Sequence, residues 1–155
     1  MTGDASNRRL AEDALEGALQ RWQAADRSSI DPDAMYASTG EALWWITALD
    51  GWHRDNTPGY ADATYANVPD RRLILGHRYA RNHIGHGLLA VQESTSGFGF
   101  PMGFPLKFSE FVWRDLPSLP KDERHPDQRR AYNDMLVGQM VRNTLAGAER
   151  FLLRV

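Results

Sequence analysis

The chain has 155 residues, of which 42% are hydrophobic and 25% charged, an ordinary globular balance that excludes a highly charged disordered polymer. That length buries roughly two-thirds of the unfolded surface, so one core and one domain over residues 1–155 are expected. A net charge of −2 and a pI near 6.2 exclude a surface that is basic all over, and the absence of cysteine excludes disulfides, thiolate metal sites and thiol nucleophiles.

The polar stretch Met1 to Arg9 lacks the apolar run of a secretory signal, and no stretch of about 18 apolar residues follows it; a cytoplasmic protein without membrane contact is expected. A first helix is predicted over about Arg8 to Ala25, where Leu10, Ala14, Leu15, Ala18, Leu19 and Trp22 recur at helical spacing. Asp31-Pro32-Asp33 supplies a capping carboxylate, a proline at the first helical position and first-turn acid, and so opens a second helix running to about Trp52. Met35, Leu43, Trp44, Ile46, Thr47, Leu49 and Asp50 mix apolar and polar positions along it, Trp44-Trp45 is expected to anchor the core, and Gly40 weakens its middle by about 1 kcal/mol. His53 to Asn67 reads as a surface loop around the turn cluster Asp55-Asn56-Thr57-Pro58-Gly59.

Val68-Pro69-Asp70 starts a third helix, predicted to reach about Gln92. Beyond it Phe98, Phe100, Met102, Phe104, Leu106 and Phe108 alternate with glycine, proline or lysine, a period of two. The prolines bar a central strand, so an edge strand or extended arm is predicted, with Phe111-Val112-Trp113 as a returning strand. After Pro117-Ser118-Leu119-Pro120 a last helix is predicted from about Asp127 to Leu153, striped by Met135, Leu136, Met140, Val141, Leu145, Ala148 and Leu152. The expected fold is mainly all-α: four principal helices, a four-to-five-helix bundle, with an aromatic β-hairpin or extended-arm insertion around 97–115.

The third helix carries the chemistry. Leu73, His77, Ala80, Ile84, Leu88 and Val91 form one seam; Leu75, Tyr79, Asn82, His86 and Leu89 form a second on roughly the opposite side. Such a helix is either sandwiched within its own chain or completed by another subunit, and the polar Asn82 and His86 favour a homodimer through residues 75–89. Arg71, Arg72, Arg78 and Arg81 lie on the same segment, where Asp70 is the one acid between positions 70 and 92; this is a local basic patch, with Arg71, Arg72 and Arg78 as candidate RNA-binding residues.

Within it, Arg81-Asn82-His83-Ile84-Gly85-His86 resembles the Arg-Asn-x-x-x-His form of the signature of HEPN-domain proteins. The resemblance implies a helical bundle, commonly dimeric, and a metal-independent endoribonuclease of toxin–antitoxin or antiviral-defence systems, with RNA as substrate, an antitoxin as partner and no cofactor. By motif position it implies that Arg81 holds the scissile phosphate, Asn82 orients the site and His86 moves protons; His83 is not a motif position. The chemistry is self-sufficient: a base takes the 2′-hydroxyl proton, an acid protonates the leaving oxygen and a cation stabilises the phosphorane. Arg81 and His86 diverge by about 140° on an ideal helix, so the length of arginine or a partner subunit has to close the gap. Asp50, His53 and Glu41, on or near the second helix, are candidates for facing the motif.

Other readings remain beside this one. His86 also fits a structural histidine, and Arg71, Arg72 and Arg78 also fit ordinary solvated charges. His83 and His86 share metal-ligand spacing but lack an acid to complete a site, so no metal is expected; Ser94-Thr95-Ser96-Gly97-Phe98-Gly99 lacks the lysine of a phosphate-binding loop. The aromatic arm suits packing better than base stacking, since Lys107 is its one basic residue. At the level of the whole protein, the alternatives are a non-catalytic HEPN-like binding or regulatory dimer and a structural assembly protein.

Overall fold

In a computed structural model, residues 3–28, 31–62, 68–85, 91–98, 106–117 and 125–155 are described. They form helices α1 (Gly3–Ser28), α2 (Pro32–Asn56) and α3 (Pro69–Ile84), strands β1 (Val91–Phe98) and β2 (Leu106–Trp113), and helices α4 (Pro126–Met135) and α5 (Val141–Arg154). This is the expected helical bundle with a hairpin insertion. α1 lies along α2; α3 is packed between α2 and α4; α5 closes the bundle against α1, α2, α3 and β2.

The helix starts follow their local chemistry. Asp31 caps α2, its Oδ1 accepting from the backbone N–H of Asp33 at 3.0 Å and of Ala34 at 3.1 Å, with Pro32 at the first helical position. α3 and α4 likewise open on prolines, Pro69 and Pro126, whose missing N–H is one that a first turn leaves unpaired in any case. A single core cluster draws Leu15 and Trp22 from α1, Leu43 and Ile46 from α2, Ile74 and Tyr79 from α3, Trp113 from β2, Tyr132 from α4 and Leu145 and Phe151 from α5. Its two buried indoles have their N–H groups satisfied by threonines, Trp22 by Thr39 at 3.0 Å and Trp113 by Thr144 at 2.8 Å.

Four expectations are corrected. The long C-terminal helix is two helices, because residues 136–140 are taken up by β2: Trp113 donates to Gln139 O at 3.1 Å and accepts from Gly138 N at 3.0 Å, with Gly138 at φ 74 turning the chain. The third helix ends at Ile84, not near Gln92, because from Val91 the backbone pairs with β2 in register Val91↔Trp113 to Phe98↔Leu106. The strands therefore lie on either side of the alternating segment, and Phe100, Met102 and Phe104 fall outside the described residues. Trp44 is not a core anchor: it is 54% exposed, while Trp45 packs against the core edge.

Much of α3 is covered within the chain. Leu73, Ile74, His77 and Ala80 are buried, and on the α4 side Tyr79 stacks against Tyr132 at 5.1 Å between centroids. Leu88 of the first seam and His86 and Leu89 of the second lie outside the described residues. Gly76 permits the close approach of α4: a Cβ there would meet Leu136 Cδ1 at 2.7 Å, Ala131 O at 3.3 Å and Tyr132 Cα at 3.3 Å. Gly76→Val is expected to lower unfolding free energy by about 3 kcal/mol through overpacking. Gly51→Ala, where nothing lies within 4 Å, should raise it by up to about 1 kcal/mol through helix propensity; urea titrations of the two variants check this.

His77 makes the core pH-sensitive. Its Nδ1–H donates to Leu73 O at 2.9 Å, Nε2 has no partner among the described residues, and burial pushes its pKa down from 6.5 to about 4. Because the folded pKa lies below the unfolded one, the unfolded chain binds the extra proton first; stability is full above pH 6.5 and falls between pH 6.5 and 4, by about 3 kcal/mol in total. Burial also lowers His53, which acts in the same direction. Urea unfolding at pH 7 and pH 5 should show about 2 kcal/mol of this loss, and His77→Leu should flatten the dependence to the part left by His53.

Candidate functional site

α2 and α3 meet around a buried carboxylate. Asp50 is fully buried; its Oδ1 accepts from Arg71 Nη1 at 2.6 Å and from Tyr60 OH at 2.8 Å, and Arg78 Nη2 stands against Oδ2. The Arg78 contact is an ion pair without hydrogen-bond alignment, and the buried Arg78 Nε has no acceptor among the described residues. Arg71 and Arg78 are seven residues apart, two helical turns, so both reach one acid from the same face of α3. Arg71 also lies 4.9 Å over the Tyr60 ring, and burial together with the Asp50 charge pushes the Tyr60 phenol far up.

One carboxylate against two guanidiniums leaves the cluster one positive charge in excess, on the side where Arg78 is part-exposed. There Arg78, Arg81 and Asn82 of α3, Trp44, Thr47 and Ala48 of α2 and Gln128 of α4 line a groove of about 230 Å³. The Arg81 guanidinium lies 4.7 Å from the centre of the exposed Trp44 ring, a cation–π contact, and Nη1 donates to Asn82 Oδ1 at 3.4 Å. Asn82 Nδ2 in turn donates to Gln128 Oε1 at 3.4 Å. Both bonds are long, so the two carboxamides retain donor and acceptor capacity for a third party. Among the described residues no carboxylate pairs with Arg81.

Of the residues singled out from the sequence, Arg81, Asn82 and Arg78 come together in this groove. Arg71 sits beneath it, buried on Asp50, and Arg72 pairs with Asp134 of α4 at the other side of the helix. The basic patch expected from chain order is thus about half offset by Asp50 and Asp134 of other helices, and a count of charges along one segment does not see them. His86 lies outside the described residues. Of the second-helix candidates, Asp50 faces α3; His53 is buried, its ring bonded to Leu152 O at 3.0 Å and Thr57 Oγ1 at 2.9 Å; Glu41 pairs with Arg21. His83, outside the motif, is buried, with ring nitrogens 3.1 Å from Tyr79 O and 3.0 Å from Pro117 O. The P-loop-like Ser94 to Phe98 belongs to β1. Among the described residues no three His, Asp or Glu side chains gather as a metal site, and no helix is long and apolar enough to cross a membrane.

Trp44, Thr47 and Gln128 were missed by the sequence reading. A signal for the first two exists: at about 100° per residue, Leu43, Ile46, Leu49, Asp50 and His53 share one face of α2, and Trp44, Thr47 and Ala48 fall together outside it. Gln128 has none, since only the packing of α4 on α3 brings it to the groove. Compared with protein-family models, curated proteins and solved structures, the chain has no match. The likeness to HEPN proteins rests on the residues of the motif.

Proposed function

We propose that the chain is a metal-independent endoribonuclease of the toxin or antiviral-defence type, acting in the cytoplasm and cutting RNA by attack of its own 2′-hydroxyl. The observation that carries this reading is the arginine of the motif, Arg81, which has no carboxylate partner among the described residues and borders a groove beside an exposed aromatic ring. A guanidinium held in this way is a ready phosphate contact, whereas Arg71 and Arg72 are occupied by acids.

In the reaction, His86 takes the 2′-hydroxyl proton, the 2′-oxygen bonds to phosphorus, and the 5′-oxygen leaves with a proton from an acid. Arg81 balances the charge of the phosphorane, and Asn82 orients both. The products are a 2′,3′-cyclic phosphate and a 5′-hydroxyl. Two copies that bring their motifs together would supply two histidines and two arginines to one cleft, and an antitoxin would act as the partner that restrains it.

The test is incubation of the purified protein with structured and unstructured RNA in EDTA, scoring cyclic-phosphate ends. Chelator-resistant cleavage supports the reading; RNA that is bound but never cut would instead make the chain a non-catalytic binding module.

A further inference from the structure

We infer that the groove is a subsite for one unpaired nucleotide of a single-stranded RNA, with its base on the Trp44 ring, its phosphate toward Arg81 and Arg78, and its base edge toward the carboxamides of Asn82 and Gln128. The inference deepens the ribonuclease reading and rests on it for the choice of RNA as the ligand.

Trp44 projects from α2 at 54% exposure, an unfavourable position for an indole unless something covers it. Among the described residues the other large exposed hydrophobics, Leu10 and Leu153, are aliphatic and do not line the groove. Arg81 lies over the ring at 4.7 Å, and Thr47, whose hydroxyl is spent on the Trp44 main-chain carbonyl at 2.9 Å, lines the groove with Ala48. An aromatic platform beside a guanidinium is the combination that single-stranded nucleic acid uses, base on ring and phosphate on cation.

The remaining wall selects for a base over a plain anion. Asn82 and Gln128 meet at 3.4 Å, and each amide has both a donor and an acceptor to offer, which complements the mixed edges of nucleobases. An inorganic anion or an acidic peptide would use Arg78 and Arg81 but leave the indole and the amide acceptors without a role. Paired RNA keeps its bases stacked within the duplex and so cannot lay one on the Trp44 ring.

The test uses the full chain with His86→Ala, which keeps RNA intact, and fluorescence anisotropy of a labelled single-stranded pentanucleotide. Trp44→Ala is expected to weaken binding roughly ten- to hundredfold, Trp44→Phe to retain most of it, and an abasic central nucleotide to lose about as much as Trp44→Ala does. Gln128→Ala should change the ranking among the four homopolymers. Circular dichroism on each variant checks that it is folded. Equal competition by the abasic oligonucleotide, duplex RNA and inorganic phosphate would overturn the subsite and leave a bare anion site. So would a Trp44→Ala protein that binds RNA normally but changes oligomeric state, which would make Trp44 a contact between copies. The two readings fail separately: cleavage that depends on His86 but not on Trp44 removes the subsite alone, and Trp44-dependent binding without cleavage by the wild type removes the nuclease alone.

Discussion

His86→Ala is expected to reduce RNA cleavage by roughly two to four orders of magnitude, the usual worth of one positioned acid–base group, while leaving RNA binding within a few-fold of wild type. Arg81→Ala should lower cleavage by roughly two to three orders of magnitude, because a cation facing the developing phosphorane charge acts in the transition state more than in the bound ground state. Arg81→Lys should recover only part of this: lysine keeps the charge but loses the planar fork and the stacking that hold the guanidinium over Trp44. Arg81 is half-buried at the groove edge and forms no ion pair among the described residues, so its loss should leave thermal stability nearly unchanged. Single-turnover cleavage assays alongside melting curves separate the two effects. Equal cleavage by wild type and His86→Ala would end the ribonuclease reading.

Asp50→Ala is expected to be the most damaging single substitution for stability, by about 3–5 kcal/mol. The carboxylate is fully buried and answers Arg71, Arg78 and Tyr60 at once; without it two guanidiniums, one of them almost completely buried, face each other with no counter-charge. For a chain of this length that corresponds to a melting temperature lower by roughly 10 °C or more. The cost comes from the orphaned charges more than from the attraction lost, so a triple variant with Asp50, Arg71 and Arg78 all replaced by apolar residues should recover much of the stability. The same triple variant should still lose RNA affinity, because Arg78 is the link between the buried acid and the groove. By contrast, the solvent-exposed Arg21–Glu41 pair is screened, and Glu41→Ala should shift the melting temperature little. Calorimetry of the single, triple and surface variants tests the comparison.

The starts of the helices were legible because caps and prolines act within a few residues: Asp31-Pro32, Pro69 and the proline opening α4 all stand where local chemistry puts them. Helix ends were less so. Gly85 follows Ile84 and Gly138 turns the chain between α4 and α5, yet neither glycine reads as a helix end against continuing apolar periodicity; the strand β2 that pairs with Val91 onward and with residues 137–140 is distant in sequence. Apolar periodicity runs through residues 136–140 without a break because Leu136 and Val141 are buried on either side of the turn. The hairpin was expected at about the right place from its aromatic alternation, but that alternation marks the segment between the strands more than the strands themselves.

For the candidate site, the chain by itself determined that Arg81 and Asn82 stand side by side at the end of one helix and that Arg71 and Arg78 share a face of it. Each of these follows from covalent neighbourhood and a 3.6-residue period. Only the tertiary structure decided which cations are committed: Asp50 takes Arg71 and Arg78, Asp134 takes Arg72, and Arg81 is left to an aromatic ring and two amides. Charges act through space, and the acids that partly neutralise this arginine-rich helix are carried by two other helices that pack against it. The net charge of a segment is therefore no measure of the charge that its surface presents.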